Sequence, residues 1–411
     1  MSIRLSVTAQ GTNKVHGAPL PLEDGKQAKI NVYGFDHPDF FIPEEVKQYF
    51  ADTFVARGHK LYQEDRKENE KYQKKYPEEY KRFLAFKDND LQDYLPNNYP
   101  EFEVGKLKPT RNASGEALNN YVLALPHLFG GSADVASSVQ TKINNGVNYS
   151  PLNRDGHVIN YGIRELAMTA IANGLLLHGG IRTYVGSFFV FSDYLKPAIR
   201  MACLMNLPMI YLFSHDSIAV GEDGPTHQPV EQLVALRSLP NINVIRPCDD
   251  KETYAAWQIA LRSKSTPTAL ILSRQTLPTL LSSDPYQVEK GAYVISDRKN
   301  AKLIIIATGS EVSLAIKVQE ELDKQGLPVR VVSMPSMELF DKQDENYQKE
   351  ILNLPKDKRI SLEMLSTFGW QKYADHNYGI NGFGHSGKAS DVIQNYHFTV
   401  EEIVNYTKGV K

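Results

Sequence analysis

From about residue 106 onward, apolar residues alternate between short continuous runs and helically spaced sets. The run LPMIYLF, Leu207 to Phe213, is apolar throughout, as expected of a strand buried on both faces. IRTYVGSFF before it, and NINVIRP and PTALILSR after it, read as further strands. Between them lie sets with helical spacing. RELAMTAIANGLLLHGG, from Arg164, ends at the helix stop Gly179-Gly180, and SDYLKPAIRMACLM, QPVEQLVALR and DDKETYAAWQIALRS follow. Strands alternating with helices of this length predict a parallel sheet covered on both faces. The pattern recurs on a smaller scale from about residue 288. AKLIIIATG predicts a buried strand, and Ser310 is expected to cap the helix EVSLAIKVQEEL, which stops near Gly326. VRVVSMPS and RISLE supply more strands, with no sequence repeat between the two units.

The first 105 or so residues have another texture. Glu64 to Lys87 is charged and Tyr-spaced, predicting one or two solvated helices broken before Pro77. Asp88 to Pro100 carries Asn, Asp and Pro and reads as a connecting segment. A chain of 411 residues is too long for one compact core. A net charge of −2 gives no electrostatic reason to expect nucleic acid or an anionic membrane as partner. No apolar run reaches membrane-spanning length, and Met1 to Gln10 lacks the apolar core of a signal peptide, so the expected compartment is the cytoplasm. Cys203 and Cys248 have no metal-ligand or redox spacing and are expected to be ordinary thiols.

The densest chemistry lies in His215 to His227, HDSIAVGEDGPTH, directly after the strand LPMIYLF. Open parallel sheets place ligands at the carboxyl ends of their strands. Gly221 and Gly224 permit positive φ and Pro225 fixes its own, so the backbone aims Asp223 and His227. Elsewhere the residues stay ambiguous one by one. Glu165 at a predicted helix start suits the helix dipole, and an aromatic cluster such as SFFVFSDY is ordinarily core.

Taken together, the stretches QGTNKVHGAPL, TRNASGEALN, GGSADVASS, YGIRELAM, SFFVFSDYLKPAIR, HDSIAVGEDGPTHQPVE, VIRPCD, SRQTLP and FTVEEIVNYTK resemble the transketolase family over nearly the whole chain. The resemblance implies an α/β fold of two consecutive domains with mainly parallel sheets, preceded by a helical or irregular remnant. Residues 1–105 would be the tail of the family's amino-terminal domain and a linker, 106–287 the pyrimidine-binding domain, and 288–411 the carboxyl-terminal domain. It also implies thiamine diphosphate as cofactor and transfer of a two-carbon ketol unit from a ketose phosphate to an aldose phosphate.

The residue roles follow from the same resemblance. Glu165 matches the carboxylate that hydrogen-bonds the aminopyrimidine ring nitrogen, and Leu166 stands where many members carry a histidine. Phe188, Phe191 and Tyr194 match the aromatic lining of the pyrimidine pocket, and Asp134 a residue near the thiazolium or the partner surface. Arg111, Ser138, His215 and Arg274 match the substrate phosphate site, where guanidinium forks suit a dianion. Asp223 matches the carboxylate that reads the C2 hydroxyl. His227 and His16 match histidines at the reacting carbons. His178 and His385 lie in no motif, and the carboxyl-terminal domain is expected to add nothing to the active site, although its HSGKASD stretch departs from the family's version.

No GDG motif followed by a metal-binding Asn is present, so the diphosphate-gripping amino-terminal domain is expected to be missing and Mg²⁺ or Ca²⁺ to bind only through it. The expected partners are then sugar phosphates and either a second copy in a homodimer or a separate amino-terminal transketolase chain. Two further readings are a truncated, inactive remnant that keeps an interaction surface and the β subunit of a 2-oxo-acid dehydrogenase. GEDGPTHQP, Arg111 and Arg274 disfavour the latter.

Overall fold

The computed structural model describes residues 22–410, which fall into two compact units, 22–80 and 81–410. The first holds the helices Leu22–Asn31, Glu44–Phe50 and Ala56–Lys75, the last two joined through a wider turn at Ala51–Val55. No residue between 22 and 80 is buried, and Phe40, Phe54 and Tyr33 are among its exposed large apolar side chains. Tyr76 leaves helical geometry at φ −135° before the helix Pro77–Lys87, the break the sequence predicts.

The second unit contains two sheets. Its strands are β1 (Leu107–Lys108), β2 (Leu128–Ser132), β3 (Val158–Asn160), β4 (Arg182–Phe188), β5 (Ile210–Ser214), β6 (Asn243–Ile245), β7 (Thr268–Leu272) and β8 (Leu277–Pro278). They continue with β9 (Tyr293–Ser296), β10 (Leu303–Ala307), β11 (Val329–Ser333), β12 (Arg359–Leu362) and β13 (His376–Tyr378). A six-stranded sheet of order β3-β2-β4-β5-β7-β6 is parallel throughout. A five-stranded sheet of order β13-β12-β10-β11-β9 is parallel except for β9. β1 and β8 form a short antiparallel ribbon.

Both faces of the larger sheet are covered, which is why its strands are apolar runs without alternation. Tyr184, Leu212 and Leu270 face one core with Leu118 and Trp257. Val185, Tyr211, Phe213 and Ile271 face the other with Met168 and Ile199. Each such side chain contributes roughly 1.5–3 kcal/mol when fully buried. The α/β class and the mainly parallel sheets are as the sequence implies.

Two local expectations are corrected. The segment 88–100 is more than a connector, because Leu91 and Leu95 are buried against Phe86 and the Trp257 side of the sheet. Ser310 does not cap the helix Glu311–Lys324; its own backbone is helical and its hydroxyl makes no cap bond. That hydroxyl serves a buried charge cluster instead.

Candidate active site

Several of the candidate residues lie at the carboxyl ends of β2, β4, β5 and β7. His215 follows β5 with φ +66°, a left-handed backbone that a non-glycine residue rarely holds, at a cost of order 1 kcal/mol. Asp134, just past β2, is also left-handed at φ +61° and is exposed. Neither conformation is signalled by sequence. Gly221 and Gly224 turn the loop at φ +82° and +76°, as their type predicts.

His215 is buried, and its Nδ1 lies 2.8 Å from Ser214 Oγ. Its ring packs 4.0 Å, centroid to centroid, from that of Phe188 at the end of β4. Phe191 lies 6.0 Å beyond Phe188, and Tyr194 6.0 Å beyond Phe191. His227 meets the same shelf edge-on, 5.3 Å from Phe191, while its Nδ1 lies 2.9 Å from Thr226 Oγ1. Phe188 and Phe191 are half-buried and Tyr194 is exposed, so the row keeps open surface that an ordinary core cluster would not. A flat heterocycle fits such a shelf.

Arg111, in the first turn of the helix Thr110–Ala124, donates Nη1 to the Ser138 carbonyl at 2.9 Å, while its buried Nε has no hydrogen-bond partner. Arg274, two residues past β7, is exposed, with only a 3.4 Å contact from Nη1 to the Val220 carbonyl. Neither guanidinium has a carboxylate partner among the described residues. Burial and then the Arg274 charge lower the pKa of Arg111. Burial, followed by Arg111, Arg274 and His227, pushes His215 down to about 3. Two uncompensated guanidinium groups beside a neutral imidazole make a place suited to an anion.

The His215 shift can be tested directly. Its ring nitrogens are expected to show no titration between pH 5 and 8 by ¹⁵N NMR. Folding favours the neutral ring, so its contribution to stability is complete above about 6.5, the unfolded value, and is lost as pH falls toward 3. Denaturation midpoints of the wild type should therefore fall more steeply over that acid range than those of His215→Gln.

Glu165 opens the helix Glu165–His178, is half-buried, and makes no side-chain hydrogen bond among the described residues. Asp223 is exposed on the loop. Ser138 is brought to Arg111 through its carbonyl rather than its hydroxyl. His16 lies outside the described residues. The structure thus brings Phe188, Phe191, His215 and His227 into one cluster, with Arg111 and Arg274 close enough to act on His215.

Sequence reasoning missed the bracing of the loop by the second sheet's domain. Gln228 donates to the carbonyls of Gly221 and His385 at 3.0 and 3.1 Å, and Ser386 donates to the Glu222 carbonyl at 2.6 Å. The HSGKASD stretch therefore lies against the loop that carries Asp223 and His227. The available signal was its departure from the family's small-residue version.

Comparison with known proteins matches this arrangement. Residues 4–92 match the model of the transketolase thiamine diphosphate binding domain, 107–279 the transketolase pyrimidine binding domain, and 291–399 the transketolase-like TK C-terminal domain. Two parallel α/β units in this order define a thiamine-diphosphate-binding architecture. The chain is 46% identical to the transketolase of Bacillus subtilis over 97% of its own length and 61% of that protein. It is 44% identical to that of Geobacillus stearothermophilus with the same shares. A crystal structure of a transketolase variant from Pichia stipitis superposes with a TM-score of 0.89 at 38% identity, covering 99% of this chain and 61% of that one. The chain belongs to the transketolase family, and spans about 61% of the length of these relatives.

The match over 4–92 corrects the expectation that the diphosphate-binding domain is missing, because sequence of that domain is present. That expectation rested on the absence of a GDG motif followed by a metal-binding Asn. Among the described residues no helix is long and apolar enough to cross a membrane.

Proposed function

We propose that this chain works in a ketol transferase, moving a two-carbon unit from a ketose phosphate to an aldose phosphate with thiamine diphosphate. The observation that carries the reading is the pair of unpaired guanidinium groups, Arg111 and Arg274, beside neutral His215 and next to an open aromatic shelf. A sugar phosphate offers the dianion, and the cofactor's pyrimidine offers the flat ring. When bound, thiamine diphosphate supplies the nucleophilic carbon.

This chain's residues supply the rest. Glu165 holds a proton at the pyrimidine ring nitrogen, and Phe188, Phe191 and Tyr194 orient the ring. Asp134 sits toward the thiazolium or a partner surface. Arg111, Ser138, His215 and Arg274 hold the substrate phosphate, and Asp223 accepts the C2 hydroxyl. His227 donates to the substrate oxygen that gains negative charge, with His16 as a second histidine there. Mg²⁺ or Ca²⁺ would be held through the family's diphosphate-binding domain, since among the described residues no group of three or more His, Cys, Asp or Glu could hold a metal ion.

The active form is proposed to be an assembly in the cytoplasm: a homodimer, or a complex with a chain carrying further diphosphate-binding sequence. Two features support this. The helices Glu165–His178 and Ser192–Leu204 expose Leu166, Ile171, Leu177, Met201 and Leu204, a surface suited to burial against another subunit. Residues 22–80 bury nothing of their own, so their apolar side chains need a covering surface.

The substrate class is tested by supplying the assembly with thiamine diphosphate, Mg²⁺, xylulose 5-phosphate and ribose 5-phosphate, or with a 2-oxo acid instead. Formation of sedoheptulose 7-phosphate from the sugars alone is expected. Turnover of the 2-oxo acid alone would favour the dehydrogenase reading and overturn this one.

A further inference from the structure

Arg246, one residue past β6, is fully buried and uses its whole guanidinium. Nε and Nη2 donate to Asp216 Oδ2 at 3.1 and 2.7 Å. Nη1 donates to the Thr308 carbonyl and hydroxyl, both at 2.9 Å, and to Glu311 Oε2. Nη2 also reaches Ser310 Oγ at 3.2 Å and Glu311 Oε1 at 3.3 Å. Asp216 directly follows His215. Ser310 Oγ in turn accepts from Gln275 Nε2 at 3.1 Å, and Gln275 directly follows Arg274. One guanidinium therefore ties both anion-facing loops of the larger sheet to the 308–311 turn after β10.

The cluster continues inward. Thr308 Oγ1 donates to Glu363 Oε1 at 2.7 Å, and Glu363 takes a two-pronged bond from Arg237 at 2.9 and 3.0 Å. Glu311 Oε2 also accepts from the Met364 backbone N–H at 3.0 Å. Gly309, at φ +52°, allows the close approach, since a Cβ there would stand 2.7 Å from Arg246 Cζ. Nothing here touches a ligand, and a solvent-free cluster of this size is a poor source of stability compared with apolar packing. What it achieves is position: two charged forks fix loops that no sheet hydrogen bond reaches.

We infer that Arg246, through Asp216 on one side and Ser310 with Gln275 on the other, is the positioning residue for His215 and Arg274, so that the carboxyl-terminal domain sets the geometry of the phosphate site without contributing a contact to it. This rests on the reading above that His215 and Arg274 hold a phosphate.

The test is calorimetric titration of the assembled enzyme with ribose 5-phosphate, comparing wild type, Arg274→Gln, Arg246→Lys, Glu311→Gln and Ser310→Ala. Thermal unfolding is followed alongside. Arg246→Lys keeps the charge and loses the fork. Ser310→Ala keeps every charge and leaves the fold intact even if the other two unfold. Wild type should bind, and Arg274→Gln should lose most of the affinity. Arg246→Lys and Glu311→Gln should weaken binding about tenfold, the loss of one charged hydrogen bond, and Ser310→Ala severalfold. In the same variants the KM for ribose 5-phosphate should rise, while kcat and the KM for unphosphorylated glycolaldehyde stay near wild type, a split that general destabilisation would not produce. Wild-type affinity in a folded Ser310→Ala together with every other folded cluster variant overturns the inference and leaves the phosphate site standing. No binding by wild type, or binding indifferent to Arg274→Gln, overturns the phosphate site and the inference with it.

Discussion

Glu165→Gln is expected to lower the rate of thiamine-dependent ketol transfer by about 10²–10⁴-fold, the usual worth of a positioned acid–base group. Glu165 is the first residue of its helix, at the amino-terminal end of the dipole, where an acidic side chain suits the helix. It is half-buried and bonded to no side chain among the described residues, so its carboxylate is available to a ligand. Gln keeps the shape and the helix start but cannot hold a proton for a ring nitrogen. The lost dipole interaction amounts to about 0.3–1 kcal/mol, so the fold should survive. The check is kcat of the active assembly beside a denaturation curve. A kcat within threefold of wild type in a folded protein would remove Glu165 from the chemistry.

Arg246→Met should destabilise the second unit by about 3–5 kcal/mol, because it leaves buried carboxylates without their counter-ion. Among the described residues, the bases paired with Asp216, Glu311 and Glu363 are Arg246 and Arg237, three acids against two bases. Burial works against the charged form of Arg246, but Glu311 and Asp216 outweigh it and raise its pKa. Burial also raises the pKa of Glu311, only partly opposed by Arg246. With Met at 246, adding Asp216→Asn and Glu311→Gln should recover part of the loss, since neutral partners cost less to bury. Guanidinium unfolding midpoints measure both steps. A loss under 1 kcal/mol for the single variant would show that the cluster is not the closed network described.

Most of the fold was legible in the sequence, because a strand buried on both faces must be an apolar run and two of the helices end beside the glycine stops Gly179 and Gly326. PTALILSR and AKLIIIATG contain β7 and β10, and LPMIYLF covers all of β5 but its last residue. The loop after β5 was legible because Gly221, Gly224 and Pro225 constrain the backbone wherever they occur. What failed depended on tertiary partners. Ser310 before an amphipathic helix reads as a cap, yet a buried guanidinium from another element claims its hydroxyl. The left-handed backbones of His215 and Asp134 are imposed by their surroundings, since neither residue type requires them. Arg246 in VIRPCD looked like part of a family motif and nothing more, because its seven side-chain hydrogen bonds join residues 30 to 65 positions away. The kinship of the first segment was legible in QGTNKVHGAPL, and the match of 4–92 to the diphosphate-binding domain agrees with it.

The central claim is the proposal that the larger sheet carries one face of a thiamine-dependent ketol-transfer site, completed within an assembly. The most direct test is transfer from xylulose 5-phosphate to ribose 5-phosphate with thiamine diphosphate and Mg²⁺, run with the purified chain alone and again with an amino-terminal transketolase half added. Sedoheptulose 7-phosphate is expected on mixing, dependent on thiamine diphosphate and abolished by Glu165→Gln. Silence in both arms from a folded protein would contradict the account and favour a chain that keeps only an interaction surface.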